Sequence, residues 1–271
     1  MGFVFNGTTS KSMGVLTKMT TENRVPDLNN YTIEIAGKNG LLDLGSALSE
    51  RIIEISCLIP PKKTDAALLA AKDAVVDWLN PDRDVCALIL DTEPERVYYA
   101  RLQDGVAFSK VARHSSEFDL TFFCPDPFGY AIDDEVFEIT KEGADTVTRK
   151  LGNTSSDPVY LLRGTIDSSS SSYITITTNN SELKIAGAGL TAAEIFVVDT
   201  DKMTAYVTDS DGNILRNGLP YIEKLNFPTL AVGDNSVIVE CGNATFTSLT
   251  IQAKSRWMLS FHGTPHWCSR G

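Results

Sequence analysis

Histidine is scarce in this chain of 271 residues, with three copies: His114, His262 and His266. A Ser-His-Asp system needs a histidine held by a carboxylate beside a nucleophile. Only His114, in ARHSSEF, stands next to serines, and its polar setting at a strand start reads as a solvent-facing side chain. Neither GxSxG nor HExxH occurs, which removes two common hydrolase signatures. Basic residues are also short: 24 Lys and Arg against 35 Asp and Glu give a net charge of −11 and a pI near 4.8. Phosphate recognition and anionic membrane surfaces both call for basic patches, so this balance argues against either partner. No apolar run approaches the ~18 residues of a membrane span. The start, MGFVFNG, has no basic leader segment, and Asn6 breaks the usual myristoylation pattern, so no signal peptide or lipid anchor is expected.

The five cysteines (Cys57, Cys86, Cys124, Cys241 and Cys268) are odd in number and contain no CxxC. They read as reduced thiols, the first three within apolar strand patterns. His262, His266 and Cys268 fall within HGTPHWC and are good zinc-ligand types, but no fourth ligand is evident and the segment resembles an unstructured tail. DTD (199–201) and DSDGN (209–213) offer hard oxygens without the order of an EF-hand, so hairpin turns are the simpler reading. GKNG and GAGL lack the following helix of a phosphate loop, and the N-x-S/T sequons at Asn6, Asn153, Asn179 and Asn243 mean little without a secretory signal. No catalytic, cofactor-binding or metal-binding residue is therefore assigned, and no cofactor is expected.

What is present is β structure. Hydrophobic residues make up 42 % and charged residues 22 %, a globular composition long enough for one large domain or two ordinary ones. Phe3 and Phe5 alternate before an Asn6-Gly7 turn, and a strand is expected over 13–20. The run Arg24-Val25-Pro26 forces extended chain. YTIEIAGKNG alternates at Tyr31, Ile33 and Ile35 before a turn at 37–40, and ERIIEISCLIP continues at Ile53, Ile55 and Cys57. TDAALLAAKDAVVDWLN changes period: Leu68, Leu69, Val75, Val76 and Leu79 at helical spacing, Thr64 as N-cap and Asn80-Pro81 as stop predict the one helix. Glu93-Pro94-Glu95-Arg96 looks like a hairpin tip between Leu88/Leu90 and Val97/Tyr99. In SSEFDLTFFC, Phe118, Leu120 and Phe122 face one way and Glu117, Asp119 and Thr121 the other, as in a core strand. Pro125 and Pro127 cannot donate to a ladder, so they end the sheet and read as the exit from a domain.

A polar, turn-rich region follows, with a boundary placed near 133–142. Strands are expected at 159–165, 173–179, 182–186, 194–199, 204–208, 221–225, 236–240 and 248–253. Closely spaced turns between them predict a β-sandwich. Ser168–Ser172 reads as an exposed loop tip, the strand pattern ends near Trp257, and 258–271 reads as a poorly ordered or expression-derived tail.

The order of features in the first half is itself informative: Phe3-x-Phe5-x-Gly7, Ser12-Met13-Gly14, Arg24-x-Pro26, Ile35-x-Gly37-Lys38-Asn39-Gly40, the strand 52–58, the helix ending in Trp78-Leu79, Tyr98-Tyr99-Ala100, and Phe118–Phe128 with its Cys-Pro-Asp-Pro-Phe. This succession resembles the distal tail proteins (Dit) of long-tailed bacteriophages of Gram-positive hosts, in the short two-domain form typified by Bacillus phage SPP1. The resemblance spans roughly the first 130 residues. It implies a mainly β fold: a sandwich-like domain with one helix and a hairpin over 1–133, then a galectin-like β-sandwich over 134–257. It further implies a homo-oligomer, a hexameric ring at the virion tail tip made in the host cytoplasm. Such a ring contacts the major tail protein and the tail hub or tail-associated lysin, can carry receptor-binding proteins, and lets DNA pass. The family's Pro-Asp-Pro-Phe falls here at Pro125–Phe128. Ring closure needs two complementary patches per copy, and edge strands and the 93–96 hairpin are the expected patches. An acidic channel lining would repel passing DNA. The competing reading is a carbohydrate-binding module, for which Tyr160, Tyr173, Tyr206, Tyr221 and Trp257 are the aromatic candidates, each within a strand pattern that favours core packing. An enzyme ranks third.

Overall fold

The computed structural model describes residues 2–22, 26–80, 82, 84–224 and 226–258. Arg24, Val25 and Leu225, and the tail with His262, His266 and Cys268, lie outside the described residues. The described chain divides into two compact units, 2–132 joined by 257 and 258, and 133–256.

The first unit contains β1 (Phe3–Phe5), β2 (Thr8–Thr9), β3 (Leu16–Glu22), β4 (Leu28–Glu34), β5 (Leu41–Leu48), β6 (Arg51–Ile59), α1 (Asp65–Leu79), β7 (Cys86–Leu90), β8 (Arg96–Leu102), β9 (Ser109–Ala112), β10 (Ser115–Cys124) and β11 (Gly129–Ala131). The strand path is β2-β1-β7-β8-β10-β6-β3, with β9 on β10 and β11 on β8. β8 meets β10 only at Leu102–Phe122 and Arg101–Phe123, so the path folds there and two layers face each other. One layer contributes Phe3, Phe5, Leu88, Leu90, Tyr98 and Ala100, and the other Ile53, Ile55, Cys57, Phe118, Leu120 and Phe122. The phenylalanines pack ring to ring, with Phe122 at 5.7 Å from Phe3 and 5.2 Å from Phe5.

α1 forms where the sequence predicts it. The Thr64 hydroxyl accepts from the Ala67 amide and Asp65 occupies the positive first turn. Its Trp78 stacks on Phe3 at 5.2 Å and donates its indole N–H to the Phe5 carbonyl at 3.1 Å. The expected strand at 13–20 starts later, at Leu16, because residues 11–14 turn through Gly14 at φ +66°. In the β7–β8 hairpin the inward residues are Arg96, Tyr98, Ala100 and Leu102, while Tyr99 is exposed. β10 is a core strand as read, between β6 on one side and β8 and β9 on the other, and it stops at Cys124 before the prolines.

The second unit contains β12 (Val136–Ile139), β13 (Gly143–Arg149), β14 (Val159–Ile166), β15 (Tyr173–Thr178), β16 (Ser181–Ala186), β17 (Ile195–Asp199), β18 (Thr204–Thr208), β19 (Ile214–Asn217), β20 (Gly233–Gly242) and β21 (Ala244–Gln252). They form two antiparallel sheets, β12-β21-β14-β17-β18-β19 and β13-β20-β15-β16. The alternating inward residues of both, among them Tyr160, Leu162, Phe196, Ile174, Ile176, Val237 and Val239, make one core. Tight turns carry the left-handed residues they require: Asn179 and Asn180 at φ +49° and +70°, and Gly212 at +87°. Two elements correct the sequence reading. The polar, turn-rich stretch in which the boundary near 133–142 is placed, and in which no strand is expected, holds β12 and β13. The strand expected at 221–225 is replaced by a 3-10 turn at Leu219–Tyr221, started by Pro220, with Ile222 making one isolated bridge to Ile185.

Candidate assembly interface

Among the described residues, β4 and β5 pair only with each other, forming a two-stranded arm. The glycines at its tip, Gly37 and Gly40, sit at φ +81° and +84°, which is why the 37–40 turn can be so tight. Near its base the register shifts between Asn30 and Thr32, and on the facing strand Gly45, at φ +108°, donates its amide to the Asp43 carboxylate. Ile33 lies directly opposite Leu42, so their side chains share a face with Leu44; Thr32, Glu34 and Asp43 alternate onto the other. The apolar side chains of this face are exposed, from 39 % at Leu42 to 56 % at Leu44. An isolated hairpin is marginally stable in water at best, and contiguous exposed apolar surface marks an interaction site. The alternation at Tyr31, Ile33 and Ile35 that reads as a sheet strand is therefore the pattern of a face that the other described residues leave uncovered.

A second uncovered strip runs along α1. Leu68, Val75, Trp78 and Leu79 enter the core. Leu69 (61 % exposed) and Val76 (44 %) point away from it, two helical turns apart, with exposed Asp73 between them and Ala66 and Ala70 alongside. The expected 93–96 patch is different in kind. Its flanks are turned inward: the buried Arg96 guanidinium reaches Glu93 at 3.0 Å, Tyr98 donates its hydroxyl to the same carboxylate at 2.5 Å, and only Pro94 and Glu95 are exposed. The hairpin tip is braced from within rather than offered as a broad surface.

The double-proline segment is held by one side chain. Arg51, buried, donates from Nε to the Pro127 carbonyl at 2.7 Å and from Nη2 to the Met258 carbonyl at 2.6 Å, and its guanidinium lies 5.5 Å from the Tyr98 ring centre. Asp126 accepts from the Phe128 amide and the Tyr130 hydroxyl. Trp257 lies under the Arg96 guanidinium at 4.5 Å. Arg51 and Arg96 thus fix the chain both where it leaves the first unit and where it returns.

His114 is not solvent-facing as expected. It occupies a turn at φ +62°, and its Nδ1 is 2.8 Å from Asp65 Oδ1, tying the β9–β10 turn to the first turn of α1. The neighbouring serine does not complete a triad, because Ser115 Oγ donates to the Ile59 carbonyl. Burial pushes the Cys57 and Cys124 thiols up to about 12, leaving them as small apolar groups. Among the described residues no cluster of three or more metal-ligating side chains is found. Asp209 instead accepts from the amides of Asp211 and Asn213, as a turn residue does. Of the aromatic sugar candidates, Tyr160 is fully buried and bonded to Thr178 at 2.9 Å, and Tyr173 is covered by Lys184 at 4.4 Å.

Comparison with known proteins agrees with this architecture. Residues 10–124 match the family model of the phage tail protein RIFT-related domain. No curated protein matches the sequence. Among solved structures, the chain is similar to the Dit (gp 19.1) protein of phage SPP1, described as a paradigm of the hub adsorption apparatus in Gram-positive-infecting phages. The TM-score is 0.72 at 15 % identity, over 94 % of this chain and 98 % of that one. The phage P2 baseplate in its activated conformation with Ca gives a TM-score of 0.41 at 10 % identity, over 88 % and 91 % of the two chains, too loose a likeness to bear weight. The uncovered arm and α1 both fall within the matched span. Residues 10–124 thus match the model of the phage tail protein RIFT-related domain, in a chain whose fold is similar to that of the SPP1 Dit protein.

Proposed function

We propose that this chain is a structural subunit of a phage tail tip, acting through its surfaces and not as an enzyme. Six copies close into a ring through their first units. One ring face meets the major tail protein and the other the tail hub or tail-associated lysin, and DNA passes through the centre. The second unit, residues 133–256, serves as a platform that receptor-binding proteins can use. The carrying observation is the arm, whose apolar face is covered by nothing else in the described chain. The tail-protein domain over residues 10–124 and the Dit fold over nearly the whole chain support the same reading.

The test is the mass of the full-length protein, by native mass spectrometry and sedimentation over a range of concentrations. Species at multiples of the 29.5 kDa subunit, with six-fold closure dominant, are expected. Leu42→Asp, at an exposed position, should leave circular dichroism unchanged and return the protein to monomer. A wild type that stays monomeric at every concentration and salt, or virions that form normally without the protein, would overturn the reading.

A further inference from the structure

We infer that the apolar face of the arm seats, in the assembled state, on the outer strip of α1 of a second copy of this chain. The inference rests on the self-assembly proposed above and specifies the two surfaces that perform it.

Closing a ring by rotation requires two different patches on each copy, one complementary to the other. The first unit carries two such uncovered strips, and they differ in kind: a two-stranded sheet face with Ile33, Leu42 and Leu44, and a helix flank with Leu69 and Val76 and the acidic Asp73 between them. Within one copy both remain exposed, so each is left available to a neighbour. Their dimensions match. The arm strands, of seven and eight residues, run about 25 Å at ~3.3 Å per residue. α1, with 15 residues, runs about 22 Å at 1.5 Å per residue.

The side chains agree as well. Ala66 and Ala70 beside Leu69 leave the helix flank low enough for a sheet to approach closely. Branched Leu69 and Val76 then project toward the arm's Ile33, Leu42 and Leu44. Charge favours the same pairing. The exposed side of α1 carries Asp73 and Asp77, while Lys72, the one basic residue within the helix, is turned to the Phe108 ring at 5.2 Å. The arm tip carries the exposed Lys38, and the arm's own acids, Glu34 and Asp43, alternate onto the face away from Ile33.

Two single variants test this in the full-length protein. Ile33→Glu spoils the arm and Val76→Lys spoils the seat, each at an exposed position, with retained folding checked by circular dichroism. At a concentration where the wild type is assembled, each variant alone is expected to sediment as monomer. An equimolar mixture is expected to recover the wild-type mass, because alternating copies place a glutamate arm on a lysine helix and a native arm on a native helix. Val136→Lys, an exposed apolar position in the second unit, should assemble as wild type. If Val76→Lys assembles as wild type while Ile33→Glu does not, the seat lies elsewhere and this inference fails while self-assembly through the arm stands. A mixture that stays monomeric also overturns it. A wild type that never assembles overturns the ring and the inference together.

Discussion

Phe122 sits where the two layers of the first unit meet, fully buried and in ring contact with both Phe3 and Phe5. Truncating a buried phenylalanine loses transfer free energy and leaves a void, so Phe122→Ala should lower stability by about 3–5 kcal/mol in urea denaturation. An effect under ~1 kcal/mol would mean the core is not packed as described. In the second unit, Arg216 grips Glu194 with both terminal nitrogens, at 2.5 and 3.2 Å, and the Thr191 amide adds a third bond. The guanidinium hydrogen bond leads in holding the Glu194 carboxyl down at about 2, against an ordinary 4.5. A depressed folded value means stability that is complete above pH 4.5 and is lost as pH falls toward 2. Glu194→Gln should flatten the acid limb of the stability profile within that window and leave the profile above pH 6 parallel to wild type; an unchanged acid limb would refute the assignment. Burial of this kind was hard to read in the sequence. Phe118, Leu120 and Phe122 alternate cleanly, and their inward face is plain. Arg96 is buried because the Glu93 carboxylate, itself held by the Tyr98 hydroxyl, pairs with it, and a charged residue on the inward side shifts the apparent pattern of VYY by one position.

The best-read element was α1, because its cap, its alanines and its proline stop are all local signals. β12 and β13 were the worst: each is the outermost strand of its sheet, most of its residues face water, and so VFEI and GADTVTR look like linker. The arm was legible as a pair of strands with a glycine turn, but not as an arm, since alternation shows that one face is apolar without showing what will cover it. At β14 the ladder to β21 shifts register at Arg163/Gly164, and a Cβ on Gly164 would lie 2.3 Å from the Thr245 carbonyl oxygen. That atom is backbone in a paired strand and has little room to retreat. Gly164→Ala should therefore cost about 1–3 kcal/mol by thermal or urea unfolding, as overpacking does. A neutral result would show the strand moving more freely than its pairing allows.

On the scale of the molecule, each copy carries a net charge of −11, so copies brought together repel one another. Raising ionic strength from ~10 to ~150 mM shortens the screening length from about 30 to about 8 Å. Assembly through apolar strips should tighten over that range, seen as a lower midpoint concentration in sedimentation; dissociation by added salt would point to contacts held mainly by ion pairs. The order and spacing of features in the first 130 residues carried the resemblance to distal tail proteins, whereas the polar edge strands hid part of the second sandwich. The first unit, moreover, is not contiguous in the chain: Trp257 beneath Arg96, and the Met258 carbonyl that accepts from Arg51, belong to it but come after residues 133–256. On the ribosome, at about 5–20 residues per second, that intervening stretch takes roughly 6–25 s to synthesise. The C-terminal sandwich is thus complete in sequence before the N-terminal one receives its last two contacts, and the nascent polypeptide finishes its earliest half last.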